Sequence, residues 1–187
     1  AHYRGLVIGN QGNHFCVGAN LMTILMEAQD HNWTEIEWVV RGFQDATMAL
    51  KTCPRPVVAA PFSMTLGGGA EVCFPADHIQ AAAETYMGLV EVGVGVIPSG
   101  GGVKEMLIRF NQSTEAKHVL GTMQERVNDV FKRIGMAHVS TSAVHAKELG
   151  YLRERDRISM NEDYLLHDAK QAVLQLAGDG YLPQTPA

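Results

Sequence analysis

Short apolar runs alternate along this chain with longer stretches of helical periodicity. Leu6-Val7-Ile8, between Gly5 and Gly9, and Val57-Val58-Ala59-Ala60, after Pro54 and Pro56, are too short for helices and predict buried strands. Between them, from Thr34 to Leu50, Ile36, Val39, Val40, Phe43 and Leu50 recur at helical spacing while Glu35, Glu37, Arg41 and Asp45 fall elsewhere, which predicts an amphipathic helix capped by Asn32 or Thr34. The turn Leu66-Gly67-Gly68-Gly69 then leads into a short helix over Ala70 to Phe74, followed by a strand over Asp77 to Ala81. A second glycine turn, Pro98-Ser99-Gly100-Gly101-Gly102, enters a helix over Val103 to Ile108. The last third reads as helical: one helix spans Met123 to Ile134, and another, capped by Asn161, carries Leu165, Ala169, Val173 and Leu176 on one stripe and stops at Gly178-Asp179-Gly180.

Composition narrows the classes. With 187 residues, 46% of them hydrophobic, the chain can bury an ordinary core as a single domain over 1–187, with a mixed α/β part to residue 120 and a helical part from 121. A net charge of −5 without a Lys/Arg cluster argues against nucleic acid as a partner. No run reaches the length of a membrane span, and Ala1-His2-Tyr3-Arg4 lacks the layout of a signal peptide. Cys16, Cys53 and Cys73 form no C-x-x-C pair and read as reduced thiols, small core residues in a cytoplasmic protein.

Several chemistries fail on their motifs. The Walker pattern is absent, and Gly93-Val94-Gly95 is followed by Pro98 where a dinucleotide fingerprint needs its third glycine. The eight histidines have no metal-ligand spacing, so no metal is expected. No G-x-S-x-G elbow surrounds Ser63 or Ser99. Two acids remain, Glu71 directly after the triple glycine and Glu91 within Gly88-Leu89-Val90-Glu91-Val92-Gly93, both in apolar sequence. A carboxylate among Ala, Val, Met and Gly either turns outward or is held for chemistry, because its desolvation is expensive. Backbone free of Cβ atoms beside it lets a substrate carbonyl reach N–H groups that stabilise an oxyanion.

The segment from Arg55 to Gly102 resembles the enoyl-CoA hydratase/isomerase (crotonase) family in Pro56-Val57-Val58-Ala59-Ala60, Leu66-Gly67-Gly68-Gly69-Ala70-Glu71, Ala76-Asp77 and Gly88 through Pro98. Upstream, Phe15-Cys16-Val17-Gly18-Ala19-Asn20-Leu21 is similar to that family's first oxyanion-hole segment. The resemblance implies an α/β crotonase (ClpP-like) spiral of repeated ββα units with C-terminal helices, N-terminally truncated because family members begin with further strands. It implies the backbone amides of Ala19 and Gly68 as oxyanion hole, and Glu71 and Glu91 as the catalytic carboxylates. Val17, Gly18, Asn20, Leu21, Gly67, Val90 and Ser99 would contact substrate. Met22, Leu25 and Met26 are candidates for an acyl pocket, although plain helix packing explains them as well. Asn20 stands where the family has Asp, and Ser99 where it has Gly.

Coenzyme A would be part of an acyl-CoA substrate and not a separate cofactor. The C-terminal stretch resembles the hydratase portion of multifunctional β-oxidation proteins, implying a covalent or associated 3-hydroxyacyl-CoA dehydrogenase domain, and the family implies a homotrimer or hexamer. The expected activity is enoyl-CoA hydration; the alternatives are Δ3-Δ2 enoyl-CoA isomerisation, or a catalytically weak interaction domain of a larger protein.

Overall fold

The computed structural model describes residues 3–113 and 121–185. In chain order the elements are β1 (Leu6–Ile8), α1 (Leu21–Gln29), α2 (Trp33–Lys51), β2 (Val57–Ala59), β3 (Ser63–Leu66), α3 (Gly68–Cys73), β4 (His78–Ala82), β5 (Thr85–Gly88), a 3-10 turn (Glu91–Val94), α4 (Gly102–Gln112), α5 (Met123–Gly135), α6 (Ala143–Glu148), β6 (Arg157–Ser159), a 3-10 turn (Glu162–Tyr164) and α7 (Leu165–Gly178). The boundary expected at residue 120 lies outside the described residues.

The strands form two parallel sheets, one ordered β1-β2-β4-β6 and the other β3-β5. The chain enters them in a repeating order. β2 lies in the first sheet, β3 in the second, and α3 follows; β4 lies in the first, β5 in the second, and α4 follows. The opening stretch keeps this order, because after β1 the Cys16 backbone bridges Thr65 of β3 before α1 begins. Each turn of the chain therefore lays down two strands and a helix, and each new strand pairs with its counterpart one turn earlier. This is the expected spiral of ββα units.

Burial follows from this layering. Val57, Val58 and Ala59 of β2 are fully buried, as are Ile79 and Ala81 of β4, because the first sheet carries α7 on one side and the body of the spiral on the other. Strands covered on both faces read as continuous apolar runs. β3 and β5 are half-covered, with Thr65 and Met87 buried but Met64 and Tyr86 exposed, so their alternation includes polar residues. That is why neither stood out in the sequence.

Element positions differ in instructive ways from the pattern-based expectation. β4 begins at His78, not Asp77, because the Asp77 carboxylate accepts from the Val57 amide at 2.8 Å and ties the strand start to β2. α3 starts inside the glycine turn, at Gly68. Asn32 occupies the cap position of α2 without capping it, its amide donating to Glu27 Oε2 at 2.8 Å. Val39 is exposed, and the covered face of α2 carries Val40, Phe43, Thr47, Leu50 and Lys51. The helix-packing account of Met22, Leu25 and Met26 fails, since all three are at least half exposed and α1 buries no residue. Of the cysteines only Cys73 is fully buried; Cys16 and Cys53 lie half-buried against the core. Asn161 caps a 3-10 turn that runs on into α7.

Asp156 is the most deeply buried of the charged groups among the described residues, at 1% exposure. Asp156 accepts from the Ile79 amide at 2.9 Å, the Arg153 amide at 2.7 Å and the Arg153 guanidinium at 3.0 Å, with Arg109 3.8 Å away. Burial pushes this carboxyl up, but the charges and hydrogen bonds of Arg153, with Arg109, outweigh it and hold it below the usual range. A depressed folded value means that the stability Asp156 contributes is complete above the ordinary value of 3.8 and is lost as pH falls through the folded one. Asp156→Ala strands two arginines and the β4 amide, and it is expected to cost about 3 to 5 kcal/mol in urea unfolding at pH 7, with a smaller difference from the parent at acid pH.

Candidate active site

The site begins with a close approach of two backbone segments. Cys16 donates to the Met64 carbonyl at 3.2 Å and accepts from the Leu66 amide at 2.9 Å, so the stretch after Cys16 lies alongside the glycine turn. Gly69 packs directly on the Cys16 carbonyl, where a Cβ would overlap it. Gly18, at φ +102°, would place a Cβ 3.4 Å from the Leu66 carbonyl and 3.7 Å from the Gly68 nitrogen, and a Cβ on Gly68 would lie 3.9 Å from the Ala19 nitrogen. The amides of Ala19 and Gly68 are thus neighbours. Among the described residues neither donates a hydrogen bond, which leaves a pair of available N–H groups.

Glu71, on α3, is buried at 4% exposure. Its Oε1 accepts from the Gly102 amide at 2.8 Å, at the start of α4. Burial raises its pKa above the ordinary carboxylate range, and the backbone at Gly102 and Gly100 opposes that rise. Glu91, opening the 3-10 turn, differs. Both of its oxygens are shielded from water and neither has a hydrogen-bond partner among the described residues. Desolvation, together with the negative charge of Glu71, pushes it up to about 7. The glycine turn meets this carboxylate as well, because a Cβ on Gly67 would lie 3.2 Å from Glu91 Oε1. At neutral pH the hydrogen-bonded Glu71 carries charge more readily than Glu91, which is poised to hold a proton; two carboxyls with unequal surroundings are suited to opposite roles.

The structure thus brings Gly18, Ala19, Gly67, Gly68, Glu71 and Glu91 into one place. Asn20 turns its side chain to capping, accepting from the Met22 amide at 3.1 Å, which accounts for a polar residue there without a ligand. Ser99 exposes its side chain while its carbonyl accepts from Gln44 Nε2 at 2.8 Å. Val90 is half-buried immediately before Glu91. Val17 and Leu21 are exposed, as are Met22, Leu25 and Met26 on α1 and Val94 and Ile97 after Glu91, which leaves an unusual amount of apolar side chain at the surface. A groove of about 590 Å³ lined by Val7, Gly9, Asn10, Gln11, Leu166 and Lys170 contains none of the site residues and no acid. Among the described residues no cluster of His, Cys, Asp or Glu is arranged to hold a metal ion, and no helix is long and apolar enough to cross a membrane.

The inner wall was not visible in the sequence. Phe43 of α2 packs on Gly68 and Gly100, and Gln44, Thr47 and Lys51 bind the loop and helix behind Glu71. The available signal was the presence of polar residues on the face of α2 that also carries Phe43.

Comparison with known proteins places the chain in a family. The sequence profile of the enoyl-CoA hydratase/isomerase family matches residues 1–149. The chain belongs to the enoyl-CoA hydratase/isomerase family. It is 53% identical over 182 residues to a probable 3-hydroxyacyl-CoA dehydrogenase of Bacillus subtilis, covering 97% of this chain and 22% of that protein. A putative fatty acid oxidation complex trifunctional enzyme of Rickettsia felis is 31% identical over 166 residues, covering 89% and 22%. The chain therefore spans about a fifth of the length of these relatives. In fold it is similar to an enoyl-CoA hydratase from Polaromonas sp. JS666, with a TM-score of 0.71 and 23% identity over 93% of this chain and 60% of that one.

The unpartnered state of Glu91 has a measurable consequence. Its folded value of about 7 lies above the ordinary value of 4.5, so the stability associated with the protonated form is complete below 4.5 and is lost as pH rises through 7. Glu91→Gln, which cannot ionise, is expected to gain about 1 to 2 kcal/mol relative to the parent between pH 4.5 and 8, allowing for the side chain's partial access to water. Urea titrations across that range read the difference directly; parallel stability curves for the two proteins would contradict it.

Proposed function

We propose that this domain hydrates trans-2-enoyl-CoA thioesters to 3-hydroxyacyl-CoA. The observation that carries the reading is the pairing of two buried carboxyls of unequal hydrogen bonding, Glu71 and Glu91, with two adjacent unused amides, Ala19 and Gly68. The thioester oxygen accepts from both amides, and the charge that develops on it when Cβ is attacked is held there; each such donor is worth roughly 10²–10³ in rate. Glu71, in its anionic form, which the Gly102 amide favours, takes a proton from water as the water oxygen bonds to Cβ. Glu91, protonated, gives its proton to Cα as the enolate collapses. The net change is addition of one water across the double bond, and proton exchange between the two carboxyls and solvent restores the starting state.

Coenzyme A enters as the handle of the substrate, along Val17 to Leu21 and the Gly67-Gly68 turn. The exposed apolar side chains Leu21, Met22, Leu25, Val94 and Ile97 suit the acyl and pantetheine portions. The names and lengths of the Bacillus and Rickettsia relatives support a further proposal: this hydratase works beside a 3-hydroxyacyl-CoA dehydrogenase unit that consumes its product. Isomerisation is the second reading. A mitochondrial dienoyl-CoA isomerase of Pongo abelii is 26% identical over 113 residues, and a single unpartnered carboxyl such as Glu91 can move a proton between two carbons.

Turnover of crotonyl-CoA, followed by loss of its conjugated-thioester absorbance, separates these readings. Glu71→Gln and Glu91→Gln are each expected to lower kcat at least 10²-fold while binding acyl-CoA and melting as folded proteins. The parent's kcat is expected to fall above about pH 7 as Glu91 loses its proton. An Glu71→Gln variant that retains full 3-enoyl to 2-enoyl conversion would favour isomerisation, and acyl-CoA binding without any turnover would favour the role of a non-catalytic interaction domain.

A further inference from the structure

The loop that supplies the Gly102 amide is held by a helix from an earlier turn of the spiral. Along one face of α2, Gln44 Nε2 donates to the Ser99 carbonyl at 2.8 Å, Thr47 Oγ1 shares its one proton between the Gly100 carbonyl at 2.8 Å and the Gln44 carbonyl of its own helix at 2.9 Å, and Lys51 Nζ meets Glu105 Oε1 of α4 at 2.5 Å. Their spacing, 44, 47 and 51, repeats once per helical turn, so the three side chains stand in a row. Thr47 and Lys51 are buried, at 6% exposure each, and Thr47 is in the middle.

The loop itself has little stiffness. Gly100, Gly101 and Gly102 are consecutive, and Gly101 lies at φ +114°, a conformation that residues with side chains rarely adopt. Side chains are unwelcome there as well, because a Cβ on Gly102 would lie 2.9 Å from both Glu71 Oε1 and Leu89, and one on Gly100 would lie 2.8 Å from Glu71 Oε2. A segment that must be free of side chains to fit against a carboxylate cannot hold its own peptide planes, so an outside donor has to orient them.

We propose that Thr47 is a positioning residue for Glu71: its hydroxyl fixes the Gly100 carbonyl and so aims the Gly102 amide at Glu71 Oε1, leaving Oε2 as the oxygen that faces water and substrate. This rests on the reading of Glu71 as the base in the proposed hydration. The neighbouring ionisable groups are few. Glu91 faces Glu71 through charge, while Lys51 and Glu105 pair with each other, with Lys104 3.6 Å from Glu105.

Thr47→Val keeps the shape of the side chain and removes the donor. Two measurements are made. Carboxyl-¹³C NMR titration of the Glu91→Gln background, in which the coupled step is absent, reads Glu71 without requiring turnover. The resonance is assigned by its loss in Glu71→Gln. Thr47→Val is expected to move the Glu71 titration upward, because loosening the amide weakens what opposes burial, and Thr47→Ser is expected to restore it. In the Thr47→Val protein with Glu91 intact, kcat is expected to fall about tenfold near pH 7 with KM unchanged, and the acid limb of its pH profile to move to higher pH.

Gln44→Leu, at an exposed position, is expected to shift the Glu71 titration in the same direction by less, and it serves if Thr47→Val does not fold. An unchanged Glu71 titration in the folded variants overturns the proposal even if Thr47→Val melts at lower temperature, since that is the signature of packing alone. If the parent lacks hydratase turnover but Glu71 still moves with Thr47, the hydration reading fails and the positioning role stands.

Discussion

The whole arrangement depends on two strips of backbone touching with no side chain between them. Residues 16–19 and 66–69 come from successive turns of the spiral, and their tightest approach, Gly69 against Cys16, closes because Gly69 offers no Cβ. At Gly69 any side chain would collide with the Cys16 carbonyl, while at Gly18 and Gly67 the positive φ angles, +102° and +55°, would strain other residues. Closing this contact does two things at once. It continues the second sheet through the Cys16–Thr65 bridge, and it places the Ala19 and Gly68 amides side by side, neither of them donating a hydrogen bond among the described residues. The same backbone atoms thus close the fold and leave two N–H groups available.

The second constraint follows from the first. A site walled by glycine, leucine and phenylalanine is dry, and carboxyls placed in it lose hydration. Glu71 recovers part of that loss from the backbone at Gly102 and Gly100, whereas the Glu91 oxygens make no hydrogen bond among the described residues and the nearby backbone of Glu91 and Val90 opposes the rise without cancelling it. The loop before α4 contributes to the difference between the two. Mutual repulsion widens it, since charge on Glu71 disfavours charge on Glu91. Desolvation raises both carboxyls, and what separates them is the backbone that opposes it at Glu71 and the charge that adds to it at Glu91.

This explains what could be read from the chain in one dimension. The glycine turns, Glu71 and Glu91 were legible, because each is a local departure from its surroundings: acids in apolar sequence, or glycines where a helix begins. β2 and β4 were legible because strands covered on both faces are apolar throughout. β3, as Ser63-Met64-Thr65-Leu66, and β6, as Arg157-Ile158-Ser159, were not, since a short half-covered strand resembles a loop in composition. The orientation of α1 also escaped, because periodicity identifies an apolar stripe without saying whether anything in the chain covers it; Leu21, Met22, Leu25 and Met26 form such a stripe and are exposed. Thr47 escaped for a related reason. Its partner, the Gly100 carbonyl, is 53 residues away, and a threonine in a helix has many ordinary explanations.

The row of Gln44, Thr47 and Lys51 also answers why the buried face of α2 is polar where an apolar one would pack more simply. The carbonyls of Ser99 and Gly100 belong to a loop too rich in glycine to satisfy them internally, and a leucine at 47 would leave the Gly100 carbonyl buried without a donor. Once donors are required at those two points, a helix is the element that can deliver them at a fixed spacing, and the Lys51–Glu105 pair sets the register of α2 against α4 so that the row and the loop stay aligned. The electrostatics of Glu71 thereby become a property of how two turns of the spiral pack together.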